Sequence, residues 1–233
     1  QTDGIFQNQE EVDAFYEMYY YTANGGVKPN NILPAPGETG LNRLRPGARK
    51  LVDLNGDGAI TTEDLYYAGD AAPRLAFSIK AGLEWKGIDF SAFFQGIGKQ
   101  VTLRTGSIYA PFVTNYTMQN STFMGKTWTP ENPDAQYTIL SRDNGFNRFN
   151  YENKDISVQN NRYIRLKSLV IGYSLPKQWI AKAGLSKLRF YFSGDDLWEW
   201  TKIKDGYDPE HGEGGNNTFP FSRLITFGVD LTF

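Results

Sequence analysis

The sequence predicts an all-β chain whose antiparallel strands belong to a membrane-spanning barrel, and three observations carry that prediction. Apolar residues recur at every second position in five separate stretches, the period of a strand whose two faces differ. The stretches run for about ten residues, as a tilted strand crossing lipid requires, whereas strands of soluble sandwiches centre on about five or six. Short connections alternate with long polar loops, the asymmetry of an outer-membrane barrel.

Residues 1–73 carry little strand signal. A short helix over 9–19 lines up Val12, Phe15, Tyr16 and Tyr19 on one side. Gly25, Gly26, Pro29, Pro34, Pro36, Gly37, Gly40, Pro46 and Gly47 then punctuate a long ordered loop or linker. From 74 to 85 the period becomes two, with Leu75, Phe77, Ile79, Ala81, Leu83 and Trp85 on one face. Lys86-Gly87 makes a tight turn into a second strand over 88–95. Residues 96–161 read as a long loop centred on Trp128-Thr129-Pro130-Glu131-Asn132-Pro133. Alternation returns over 163–175 and stops at Pro176; residues 176–184 form a helical turn, with Pro at its first position and Gly at its end. A fourth strand spans 187–198, a loop 202–222, and a last strand 224–233. Trp85, Tyr173 and Trp179 stand near the short connections and Trp198 and Trp200 at the opposite end, where interfacial girdles belong.

Composition excludes several functions. With 24 basic and 26 acidic residues the net charge is −2, so no basic field exists to hold nucleic acid. There is no cysteine, and the single histidine, His211, sits in a Gly-rich loop; disulfides, thiolate sites and two-histidine metal sites are excluded together. No apolar run reaches a spanning helix. Catalysis is disfavoured: Asp195, Asp196 and Glu199, and Asp208 with Glu210, are carboxylate groups that a glycosidase could use, but at strand ends and in loops they read as solvated charges. Trp128 and Tyr207, with Trp198 and Trp200, are rings that can stack on sugars; a membrane belt or loop packing explains such rings more often.

One motif has specific chemistry. Residues 53–64 place Asp53, Asn55, Asp57, Thr61 and Asp64 at positions 1, 3, 5, 9 and 12 of a calcium-type loop. Gly58 permits its sharp turn, Ala59 offers a backbone carbonyl and Ile60 points into the fold. Asp64 stands where such loops usually carry the longer Glu, and hydrogen bonds of the Asx type are the alternative that holds the same turn without metal. No long paired helices flank the loop, so calcium or a similar divalent ion would act as a clamp on residues 1–73.

Five strands cannot close a barrel, and two open edges in lipid would strand backbone groups at several kcal/mol each. The remaining staves are expected from elsewhere, which fits a chain beginning at Gln1 and read as a mature chain or a piece of a longer one. The runner-up is a soluble, calcium-stabilised, all-β carbohydrate-binding module.

A series of blocks resembles the C-terminal part of SusC/RagA-type TonB-dependent outer-membrane transporters. They are Gly4-Ile5-Phe6-Gln7 with Glu10-Glu11, Asp53-Leu54-Asn55-Gly56-Asp57-Gly58, Phe93-Phe94-Gln95-Gly96, the segment around Trp128, Tyr163-Ile164-Arg165-Leu166-Lys167, Gly172-Tyr173-Ser174-Leu175-Pro176, Gly206-Tyr207-Asp208-Pro209-Glu210 and the stretch from Phe227 to Phe233. Gly194-Asp195-Asp196-Leu197 departs from the family's usual Gly-Gln-Asn-Leu. The resemblance implies a barrel of about 22 strands, plugged by an upstream N-terminal domain and energised by TonB. It also implies a SusD-like surface lipoprotein as partner, and import of oligosaccharides or peptides across the outer membrane of a Gram-negative bacterium. This chain, lacking plug and TonB-contacting segment, would not transport alone. Strand parity then places residues 1–73, 96–161 and 202–222 outside the cell. Resemblance to outer-membrane proteins in general makes Phe233 a barrel-insertion signal.

Overall fold

A computed structural model describes residues 1–36, 43–104, 121–152, 154–203, 208–211 and 222–233. The chain divides into two compact units. One draws on residues 1–68 and 103–158, the other on residues 69–102, 159–212 and 217–233.

The first unit has a core of its own, assembled around Phe6, Val12, Tyr16, Leu44, Ile60 and Phe146. Helix α1 (Gln9–Tyr19) matches the spacing read from the sequence and turns Val12 and Tyr16 inward, one turn apart. Asn8 caps it by accepting a hydrogen bond from the Glu11 N–H at 2.9 Å. Two strands with no sequence signal, β1 (Thr2–Ile5) and β2 (Arg49–Leu51), pair antiparallel; at three and four residues they are too short to show a period. Helix α2 (Asn144–Tyr151) lies within the stretch read as a long loop. Its buried Asn150 accepts from the Arg49 N–H at 2.8 Å and donates to the Phe146 carbonyl at 2.6 Å, fastening the helix to β2.

The second unit is a five-stranded antiparallel sheet in which every strand pairs with its neighbours in sequence. The strands are β3 (Leu75–Trp85), β4 (Ile88–Lys99), β5 (Tyr163–Ser174), β6 (Lys187–Thr201) and β7 (Leu224–Thr232). The sheet is open, with β3 and β7 at its edges. All five expected strands are present, but β4 continues past Gln95 and β6 past Trp198. Gly96 and Gly98, which read as loop residues, are strand positions covered by neighbours: a Cβ at Gly96 would lie 2.6 Å from the Phe77 ring, and one at Gly98 2.6 Å from Leu75. Side chains of β3 thus fill what the glycines leave empty. The connection after β5 is a short helix α3 (Lys177–Ile180) continued by a 3-10 turn that ends at Gly184.

The β3–β4 hairpin turns on Lys86 and Gly87, both with positive φ at 49° and 87°. Positive φ at both central residues defines the type I′ turn, whose twist suits a two-residue hairpin. Gly87 also passes so close to β5 that a Cβ would stand 2.6 Å from the Ser174 carbonyl oxygen. Gly87→Ala is expected to destabilise the protein by about 1–3 kcal/mol, read as a lower urea midpoint, while Lys86→Gly relieves backbone strain and leaves the midpoint unchanged or raised.

Candidate functional site

The two faces of the sheet differ in chemistry. Paired residues on adjacent strands share a face, so the register lines up Leu83 with Phe90, Ile171, Phe192 and Phe227 on one side. This apolar side is uncovered: Leu83 is 62 % exposed and Phe227 79 %. Trp85, Ile79, Ile225, Val229 and Leu231 are also exposed. A soluble sandwich buries such a face against a second layer. An exposed apolar band flanked by rings is the surface a bilayer solvates.

The opposite face is polar and cross-linked. Arg189 on β6 reaches Asp89 on β4 at 2.8 and 2.6 Å and Asp230 on β7 at 2.9 Å. Between β4 and β6 runs β5, and the residue beneath the Arg189–Asp89 pair is Gly172. A Cβ there would lie 2.4 Å from the Asp89 carboxylate and 2.6 Å from the Arg189 guanidinium. Only a residue without a side chain lets the pair span three strands.

A second ionic cluster occupies the far end of this face. Arg165, 2 % exposed, donates to Glu199, with its Nε at 3.1 Å, and to Asp208 at 2.6 Å, and lies 3.2 Å from Glu210. Lys167 bridges Glu210 and Asp196, each at 2.9 Å. The register between β5 and β6 shifts at this point, and Asp196 takes a positive φ of 53°. Asn and Asp are the non-glycine residues that tolerate such a backbone. Aspartate at this departure from the family's usual block therefore keeps the bulge and adds a charge that Lys167 meets. Asp208 and Glu210, expected as solvated charges, are instead ion-paired and largely buried, 16 % and 14 % exposed. The available signal was parity: Arg165 and Glu199 face one another on adjacent strands.

The loop over 53–64 is built by its own side chains. Asp53 accepts from the N–H groups of Gly56 at 2.7 Å and Gly58 at 2.8 Å, Asn55 from Asp57 at 3.0 Å, and Asp57 from Ala59 at 2.8 Å. Asp64 accepts from Leu54 and Thr61, both at 2.7 Å, and closes a capping box with Thr61. Ile60 is buried in the core of the first unit, as expected, and its carbonyl accepts from the Ile32 N–H at 3.0 Å. The Lys28 ammonium donates to the Gly58 carbonyl and, at 2.5 Å, to that of Met18 in the last turn of α1. Hydrogen bonds from the Ala59 N–H and the Asn55 amide hold the Asp57 carboxyl below its ordinary range, with Lys28 adding to the effect against a small desolvation. Among the described residues no three acidic side chains converge as a metal cluster, so the loop as it stands is held by Asx-type bonds. Its carboxylates nevertheless keep lone pairs beyond those that accept N–H groups, and the oxygen set is one that suits a hard cation.

The remaining sequence-derived candidates scatter. Trp128 is buried at 5 % exposure, packs over Gly47 and donates its indole N–H to Gln7 at 2.9 Å. It therefore serves the packing of the first unit. Tyr207 lies outside the described residues. Phe233 is 88 % exposed beyond the end of β7.

No protein-family model matches the chain. Among curated proteins it is 26 % identical to the TonB-dependent receptor P26 of Formosa agariphila over 99 % of its length, and 27 % identical to the TonB-dependent receptor P3 of the same organism over 98 %. It spans 22 % and 23 % of those relatives. Among solved structures the RagAB peptide importer in its open-open state superposes with a TM-score of 0.55 at 21 % identity, covering 85 % of this chain and 20 % of that one. The RagAB peptide transporter gives 0.57 at 22 % identity, over 76 % and 19 %. An exposed apolar face opposite an ion-paired face is the surface pattern of barrel staves, and over nearly its whole length the chain is similar to part of two TonB-dependent receptors and, in fold, to part of the RagAB importer. The solved structures it resembles in fold are RagAB importers, and the sequence relatives are TonB-dependent receptors.

Truncating Arg165 would leave three carboxylates facing one another. Arg165→Met in the full-length transporter is expected to cost about 3–5 kcal/mol, measured as a lower denaturation midpoint, and Arg165→Lys to recover only part because it loses the planar fork.

Proposed function

We propose that this chain supplies the last five staves and three extracellular loop regions of a transporter that imports oligosaccharides or oligopeptides, in partnership with a SusD-like lipoprotein and driven through TonB. The observation that carries the proposal is the outward apolar face of an open sheet opposite ion-paired charges on its other face. Such a sheet needs lipid on one side, a polar lumen on the other and further strands at both edges. A barrel of about 22 strands, plugged from upstream, meets all three demands. The neighbours named as peptide importers support an oligomeric substrate without choosing between peptide and glycan. Uptake by cells carrying the full-length transporter and its neighbouring lipoprotein tests the proposal. Concentrative, TonB-dependent entry of an oligosaccharide or an oligopeptide is expected; a full-length protein that is soluble and monomeric without detergent overturns it and favours the carbohydrate-binding module.

Loop 53–64 is proposed to hold calcium through Asp53, Asn55, Asp57, the Ala59 carbonyl, Thr61 and Asp64, as a clamp within the first unit. Calorimetry of the full-length transporter is expected to give a calcium isotherm that Asp57→Ala abolishes; equal, negligible heats from both proteins leave the loop as a purely hydrogen-bonded turn. The Asp57 carboxyl is held below its ordinary range, so its contribution is complete above the unfolded-state value and declines as pH falls through the lower folded value. Hydrogen exchange of the peptide covering 53–64, followed by mass spectrometry at a series of acid pH values and corrected for intrinsic rates, is expected to show protection lost only at the acid end.

A further inference from the structure

The two short connections of the sheet lie side by side. The Ser174 N–H donates to the Gly87 carbonyl at 2.7 Å, and Leu175 N–H to Leu188 at 2.9 Å, so the β3–β4 turn and the start of the 176–184 connection form one rim. Between them these connections carry Lys86, Lys177 and Lys182 and no acidic residue. All three lysines are exposed, and none has an ion-pair partner among the described residues. Of the nearby carboxylates, Asp89 and Asp230 are taken by Arg189 on the polar face, and exposed Glu84 lines the same recess as Lys86, where Lys187 adds a cation against it. Two indoles share the rim: Trp85, 59 % exposed with the Lys86 ammonium 4.8 Å from its ring centroid, and Trp179, 64 % exposed.

We propose that this rim binds the anionic headgroups of glycerophospholipids in the leaflet that meets the short turns. The proposal rests on the reading of the sheet as barrel staves. Three ammonium groups without carboxylate partners create a local positive field that phosphates neutralise. Exposed indoles beside the apolar band set the depth at the boundary between headgroups and acyl chains, with the lysine stems lying along the apolar surface and their charged ends in the headgroup layer. An acidic protein partner would meet the same lysines, but it gives no use to Trp85 and Trp179 exposed at the edge of a lipid-facing surface. A zwitterionic headgroup carries its own ammonium and gains less from the field.

The test compares the full-length transporter in vesicles of phosphatidylethanolamine alone and of phosphatidylethanolamine with phosphatidylglycerol. At low salt the wild type is expected to unfold at a higher temperature in the mixed vesicles, and high salt should remove the gain. The triple variant Lys86→Gln, Lys177→Gln, Lys182→Gln should lose most of that gain, and the corresponding triple Arg variant should keep it, which separates charge from folding. An equal gain in the Gln variant, or a gain indifferent to salt, overturns the proposal. So does protection by lipopolysaccharide with none by phosphatidylglycerol, which assigns the rim to the other leaflet. A full-length protein that fails to enter vesicles as a heat-modifiable barrel refutes the stave reading itself, a result distinct from either of these.

Discussion

Backbone hydrogen bonding in a medium without water is the constraint on which the rest depends. A strand that faces lipid must pair on both edges, because each unpaired N–H or C=O there costs several kcal/mol. The sheet pairs each of its three inner strands on both sides, with bulges in the β4–β5 and β5–β6 ladders, and leaves β3 and β7 open. Everything else is arranged around that demand. The apolar side chains form one exposed face of the sheet, and the charged ones gather on the other. Glycines appear where a neighbour's side chain must cross, as at Gly172 and Gly96.

The polar face shows how charges persist beside a low-dielectric layer. Arg165 and Arg189 are each shared among carboxylates from more than one segment of chain. Arginine suits this work because its planar fork serves several acceptors and stays charged in any setting. In the Arg165 cluster the shared carboxylates include Asp208 and Glu210, which belong to a loop, so an ion pair carries strand geometry out into a segment that has no ladder to hold it. The first unit solves the same problem in the ordinary globular way, with an apolar core and buried amides such as Asn150 closing the gaps.

The strands were legible because period-two alternation over about ten residues is a strong signal. Their ends were not: Gly96 and Gly98 look like loop residues until Phe77 and Leu75 are seen to cover them. The short β1 and β2 and helix α2 were invisible because their residues owe their conformation to the core around Phe6 and Phe146 more than to local pattern. Loop 53–64 was legible in its spacing and turn chemistry, down to the inward Ile60. The Arg165 cluster was missed because its members come from β5, β6 and the segment beyond β6, and only the register brings them together. Trp128 carried the opposite lesson, since a lone aromatic in a polar stretch gives no sign that Gln7, far away in sequence, will take its indole N–H.

The strap of Asp89, Arg189 and Asp230 over Gly172 has a further consequence for assembly. A strand in this sheet that slid by one residue would exchange its faces, carrying a charged group toward lipid while its partners on the neighbouring strands stayed behind. Slippage by two would restore the faces but place a side chain where only Gly172 fits. The strap thus works as a proofreading device: a one-residue slip breaks its ion pairs, and a two-residue slip of β5 against β4 and β6 meets the space that only Gly172 leaves open.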